Sequence, residues 1–150
     1  MNGAVETFLH GKRLLSFDSM AIIYFIEENA QYLPILETIF EKVDSGSLRA
    51  LSSYITLIEV LSKPISERRF DLVDAYRNRL IGSEGFTLFP VERQISERAA
   101  HLRASYRLKT PDAIQIATAI EHGAEAFVTN ESLLTRVREI QVVTLGQFSS

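Results

Sequence analysis

The sequence predicts an α/β protein: a central parallel sheet of about five short strands with helices on both faces. Three observations lead there. Apolar runs of four or five residues, too short for helices, recur along the chain, as at Leu14–Phe17, Phe86–Phe89 and Ala126–Thr129. Between them lie longer stretches whose apolar residues return every three or four positions. Glycine, proline and serine clusters separate the two kinds of segment. Strands that alternate with helices need crossover connections, and those give a parallel sheet covered on both sides.

The elements follow in order. Residues 13–17 read as a first strand, ended by Asp18-Ser19. Residues 20–28 carry Ile22, Ile23, Phe25 and Ile26 as a helical stripe, and 32–44 repeat it with Leu33, Leu36, Ile39, Phe40 and Val43. Ser45-Gly46-Ser47 turns the chain into a second strand at 49–52. Ser52 or Ser53 then caps a helix that Lys63-Pro64 ends. A helix over 66–81 closes at Gly82-Ser83-Glu84-Gly85, and Phe86–Phe89 is the third strand. Residues 92–106 read as helix. Thr110 as N-cap and Pro111 as first helical residue open the next, with Gly123 just past its end. Strands at 126–129 and 141–145 flank a short helix near 132–138. The domain core spans about 13–145; residues 1–11 and those after Leu145 are expected to be partly flexible.

A chain of 150 residues is of single-domain length. It buries roughly 70% of its unfolded surface on folding. No apolar run approaches the ~18 residues of a membrane span, so no membrane association is expected. Met1–Glu6 lack a basic segment followed by an apolar core, so no signal peptide is expected either. There is no cysteine, which excludes disulfides, thiolate metal sites and a cysteine nucleophile, and fits a cytoplasmic protein. The three histidines show no metal-ligand spacing, and neither a glycine-rich phosphate loop nor a Walker lysine is present. The net charge of -3 does not mark a nucleic-acid binder, but its distribution is uneven. Residues 68–109 hold nine basic and five acidic residues, among them eight arginines. These are either solvated helix faces or a basic rim beside an acidic site.

Three carboxylates stand out of place. Asp18 follows Leu14-Leu15-Ser16-Phe17. Glu59 interrupts Leu57-Ile58-Glu59-Val60-Leu61. Asp112 opens the small-residue helix Thr110-Pro111-Asp112-Ala113-Ile114-Gln115-Ile116-Ala117. A fourth acid, Glu131, closes the polar corner Thr129-Asn130-Glu131 after a strand. Acids among apolar residues lose hydration unless something positive offsets it. With no basic residue nearby in sequence, they suggest a bound divalent cation. Oxygen ligands of this kind select Mg²⁺ or Mn²⁺ over zinc. In a doubly wound sheet such residues meet beyond the carboxyl ends of the strands, where the strand order reverses.

The order Asp18, Ser53, Glu59, Thr110-Pro111-Asp112-Ala113, Thr129-Asn130-Glu131 resembles a PIN domain, and is most similar to the VapC-type toxin ribonucleases of toxin–antitoxin pairs. The likeness runs from about Leu14 to about Val143 and is most specific between Leu102 and Leu134. It implies a three-layer α/β/α fold and metal-dependent hydrolysis of RNA phosphodiesters. It implies Asp18, Glu59 and Asp112 as metal-coordinating catalytic acids, with Glu131 as the fourth, where the family usually has Asp. Ser19, Ser53, Thr129 and Asn130 would be supporting polar groups, and Arg103 a phosphate contact. The implied partners are RNA, a cognate antitoxin and a second copy of the chain. Stripes such as Ile22, Tyr24 and Phe25 are either a partner surface or core.

Each residue has a plainer reading. Asp18 caps the next helix, Asp112 complements a helix dipole, Glu59 pairs with an arginine, and Glu131 sits at a helix start. Ser19 and Ser53 read more readily as caps, and Arg103 as solvated or salt-bridged. Two other classes remain beside the nuclease. One is a catalytically weak PIN domain that binds RNA or protein, suggested by Glu131. The other is a phosphatase or receiver domain. That last class wants a second acid near Asp18, where Met20 stands two residues on, and a receiver wants a late lysine; neither is seen.

Overall fold

A computed structural model describes residues 2–149. Met1 and Ser150, in the ends expected to be flexible, lie outside the described residues. The chain runs α1 (Asn2–Leu9), β1 (Leu14–Phe17), α2 (Ser19–Ile26), α3 (Leu33–Asp44), β2 (Arg49–Ser53), α4 (Tyr54–Ser66) and α5 (Phe70–Leu80). It continues with β3 (Phe86–Phe89), α6 (Arg93–Tyr106), α7 (Thr110–Glu121), β4 (Ala126–Thr129) and β5 (Gln141–Thr144). Single 3-10 turns follow β4 at Ser132–Arg136 and β5 at Leu145–Phe148.

All five strands are parallel, in the order β3-β2-β1-β4-β5. The chain winds outward from β1 to β2 and β3, then returns to the other side of β1 with β4 and β5. The strand order therefore reverses at β1, the point at which such sheets leave a crevice beyond their carboxyl ends. Register is tight there. Phe17 pairs with Val128, and the Asp18 N–H carries the ladder one step further, donating to the Val128 carbonyl at 3.1 Å.

One face of the sheet packs on α1 to α5. Phe17, Phe40 and Phe25 stack in sequence, with ring centroids 5.2 and 4.3 Å apart. The Arg79 guanidinium lies 5.1 Å from the last two ring centres and is also bonded to Asp44. The other face packs on α7, whose Ala113, Ala117 and Ala119 are buried, and α6 lies along α7. Small residues let a helix approach a sheet closely, which brings the α7 side chains down onto β1 and β2.

Several expectations change. Residues 2–9 form a helix: α1 buries Val5 and Leu9 against α3, and Phe8 meets Phe148 at 5.4 Å. Leu145 and Phe148 are buried in the same cluster. Ile22 is buried in the core, and the partly buried Tyr24 and Phe25 pack against it, stacking on Tyr32 and Phe40. The exposed apolar stripe lies on α4 instead, at Tyr54, Ile58 and Ile65, with Ile58 66% exposed. That helix also runs past Pro64 to Ser66. A proline lacks the N–H for one helical hydrogen bond, and here its ring is buried. Lys109 rather than Thr110 is the N-cap of α7.

Leu9→Ala is expected to lower stability by about 2–5 kcal/mol, the usual range for emptying a buried leucine site. Urea denaturation measures it; a change below roughly 0.5 kcal/mol would show that α1 is frayed in solution.

Candidate metal centre

Asp18 leaves β1 and is the N-cap of α2, 6% exposed. One carboxylate oxygen accepts from the Ala21 N–H at 2.9 Å, and the other accepts from the Thr129 hydroxyl at the end of β4. The cap role and the site position are thus the same geometry. Thr129 is fully buried and also accepts from the Glu131 N–H at 3.0 Å, which shapes the corner after β4. Asn130, half-buried, follows it on this edge.

Glu59 comes from the second turn of α4. It accepts from the hydroxyl of buried Ser19, the first residue of α2. Asp112 sits half-buried in the first turn of α7. The three acids act on one another. Burial raises the Asp18 pKa to about 6 from an ordinary 3.8, with further upward pushes from Asp112 and Glu59 that outweigh neither the Thr129 nor the Ala21 hydrogen bond. Burial also raises the Asp112 pKa, then the charge on Glu59, while Lys109 opposes and Glu131 adds a little. Three carboxylates with one lysine beside them make a net negative crevice.

Other candidates stand elsewhere. Ser53, buried, caps α4 by accepting from the Ile55 N–H at 3.1 Å. Glu131 is exposed, and its carboxylate accepts from the Leu133 N–H at 3.2 Å, capping its own 3-10 turn. Arg103 donates from Nε to the Leu108 carbonyl at 3.1 Å, bracing the turn between α6 and α7 where Arg107 adopts φ 56°. Four of the other eight basic residues of 68–109 form ion pairs: Arg69 with Asp71, Arg79 with Asp44, Arg93 with Glu97, Arg98 with Glu121. From that segment, Lys109 is the residue found beside an acid of the site.

The sequence reading passed over Gln115. It is buried on α7, and its amide nitrogen lies 2.8 Å from the Ser19 hydroxyl and 3.2 Å from a Glu59 oxygen. The signal was there: a polar residue among Ile114, Ile116 and Ala117, one helical turn after Asp112.

The donor set suits a hard divalent cation. It is made of carboxylate and hydroxyl oxygens with no thiolate or imidazole, and its negative charge is poorly balanced. As placed, the side chains stand short of a closed cage: among the described residues no three acids or histidines meet at one point at ligand distance.

A family model for the PIN domain matches residues 16–140. The chain belongs to the PIN domain family. Solved structures agree on the fold. A chain in a toxin–antitoxin complex from Klebsiella pneumoniae is similar at 25% identity and TM-score 0.67, over 87% of this chain and 97% of that one. A chain of DNA-bound VapBC from Salmonella typhimurium matches at 19% identity and TM-score 0.69, over 89% and 98%. VapBC2 from Rickettsia felis, bound to a DNA fragment from its promoter, matches at 13% identity and TM-score 0.68, over 87% and 98%. No curated protein sequence matches significantly. Among the described residues of this PIN domain, no helix is long and apolar enough to cross a membrane.

The raised Asp18 pKa has a sign. Folding favours the protonated acid, so this contribution is complete below pH 3.8 and is lost as pH rises through about 6. The shift corresponds to about 3 kcal/mol. In chelator, stability is expected to fall across that window, and Asp18→Asn to flatten the fall and exceed the parent at pH 7.5. Added Mn²⁺ is expected to restore the parent and not the variant. Parallel pH profiles in thermal denaturation would refute this account of Asp18.

Proposed function

We propose that the protein is a Mg²⁺- or Mn²⁺-dependent endoribonuclease of VapC type, the toxin of a toxin–antitoxin pair. The observation that carries the reading is the gathering of Asp18, Glu59 and Asp112 beyond the carboxyl end of β1, in a PIN-family chain. The toxin–antitoxin complexes among its structural neighbours support the pairing.

In this proposal Asp18, Glu59 and Asp112 hold the cation, which when bound lowers the pKa of water and offsets charge on the phosphodiester. The chain supplies orientation. The Ala21 N–H and the Thr129 hydroxyl fix both oxygens of Asp18. The Ser19 hydroxyl fixes Glu59. Lys109 sets a positive charge beside Asp112 and is better placed to meet a backbone phosphate than Arg103, whose Nε is committed to Leu108. Glu131 contributes field rather than ligation, since its carboxylate caps its own turn.

A second reading keeps the fold and lowers the turnover: a binding module for RNA or protein. The turned-away carboxylate of Glu131 is the observation that favours it.

Cleavage of a structured RNA panel with Mg²⁺ or Mn²⁺ separates the two. Asp112→Asn is expected to lower the rate at least ~100-fold while remaining folded, and chelator to abolish cutting. Glu131→Gln is expected to change the rate by less than roughly tenfold, as for a charge acting through space rather than a ligand. Robust cutting by folded Asp112→Asn sinks the nuclease assignment. Absence of cutting by the parent, together with a sharp gain in Glu131→Asp, selects the binding module.

The proposal includes a cognate antitoxin and self-association. We assign self-association to the α4 stripe, where Tyr54, Leu57, Ile58, Leu61 and Ile65 line an apolar groove of about 440 Å³. The parent is expected to sediment as a dimer at micromolar concentration and Ile58→Glu as a monomer with unchanged circular dichroism. A monomeric parent removes the dimer from the proposal.

A further inference from the structure

We propose that Gln115 is a positioning residue of the acidic centre, its buried amide holding Glu59 and Ser19 in the arrangement that takes the cation. The inference rests on the nuclease reading and concerns how its site is kept in order.

Gln115 is 2% exposed and lies on α7, one turn after Asp112. Its Nε2 is 2.8 Å from Ser19 Oγ, 2.8 Å from Thr56 Oγ1 and 3.2 Å from Glu59 Oε1. Two protons face three acceptors, so one proton is shared. For packing alone an apolar side chain would serve at this position, as Ile114 and Ile116 do on either side. A buried amide is unfavourable unless it is bonded, and this one is bonded toward the site.

The directions of these bonds are determined by elimination. Ser52 Oγ donates its one proton to the Phe17 carbonyl at 2.8 Å. The 2.7 Å contact between Ser52 and Thr56 therefore has Thr56 as donor. Thr56 then has only lone pairs left for Gln115. Ser19 likewise donates to Glu59 and accepts from Gln115. Each hydroxyl proton is committed, and the amide must present its NH₂ end. Turning the amide over would set a carbonyl oxygen against a carboxylate and two spent hydroxyls.

The result is one line of bonds from the backbone carbonyl just before Asp18, through Ser52 and Thr56, to Gln115, Ser19 and Glu59. It ties together the exit of β1, helix α4 and helix α7, the elements that carry the three acids. Such outer partners orient metal-binding carboxylates, and their loss costs roughly 10–100-fold in metal affinity.

The test is Mn²⁺ binding to the metal-free full chain, followed by electron paramagnetic resonance, with no nuclease assay involved. Gln115→Met keeps the length of the side chain and removes the donor. Thr56→Val removes the anchor on the far side of the amide and leaves Glu59 and Ser19 untouched. Gln115→Met is expected to keep the parent's far-UV circular dichroism and to weaken Mn²⁺ about tenfold. Thr56→Val is expected to weaken it in the same direction. A folded Gln115→Met that binds Mn²⁺ as the parent does overturns the inference. If that variant does not fold, Thr56→Val decides by the same criterion. A parent chain that binds no Mn²⁺ is seen before any variant is made; it overturns the nuclease reading and this inference with it.

Discussion

The structure is organised around a carboxylate that is held almost out of water without a counter-charge of its own. Asp18 sits where the parallel sheet reverses its winding, and its neighbours there are two further acids. Two hydrogen bonds make that position tenable, one from the start of α2 and one from the end of β4. Both depend on register. A shift of β4 by one residue along β1 would carry the Thr129 side chain to the opposite face of the sheet. The alternation of strand and helix, the alanine-lined approach of α7 and the Asp18–Val128 backbone bond all act to keep this corner fixed.

The rest of the site is assembled from helix ends and first turns, where the backbone is still open to side-chain partners. Asp18 and Ser19 open α2, Asp112 lies in the first turn of α7, and Ser53 closes the start of α4 behind them. Helix N-termini carry partial positive charge, which partly compensates the acids. Lys109 adds the one full charge from the basic segment. Four of the eight arginines of that segment are in ion pairs, and the exposed pairs Arg69–Asp71 and Arg93–Glu97 are each of small energetic weight.

Much of this was legible in the sequence, and what was missed has physical reasons. Short apolar runs bounded by turn residues gave the strands, and the acids that stand out of place, Asp18, Glu59 and Asp112, are ones the fold brings within reach of one another's charge. Helix α1 was missed because eight residues with a glycine among them do not make a stable helix alone; docking of Val5 and Leu9 supplies what propensity lacks. Pro64 looked like a stop because local rules do not include burial of its ring. Gln115 is harder to see because a neutral amide among apolar residues is a weaker anomaly than a charge, and only the tertiary fold shows that it is bonded toward Glu59 and Ser19. A sequence does not distinguish a guanidinium facing solvent or phosphate from one that serves a backbone carbonyl, as Arg103 serves Leu108.

The bond between Asp18 and Thr129 joins residues separated by 111 positions. That separation has a consequence for synthesis on the ribosome, which proceeds from the amino end. When β1, α2, β2 and α4 have emerged, Asp18 and Glu59 are already made, but the strand that flanks β1 on its other side is not. Until β4 leaves the exit tunnel, the acidic corner lacks both its hydroxyl partner and one wall. A product that stops short of Thr129 therefore carries the acids without the hydroxyl and the strand that hold Asp18 in place.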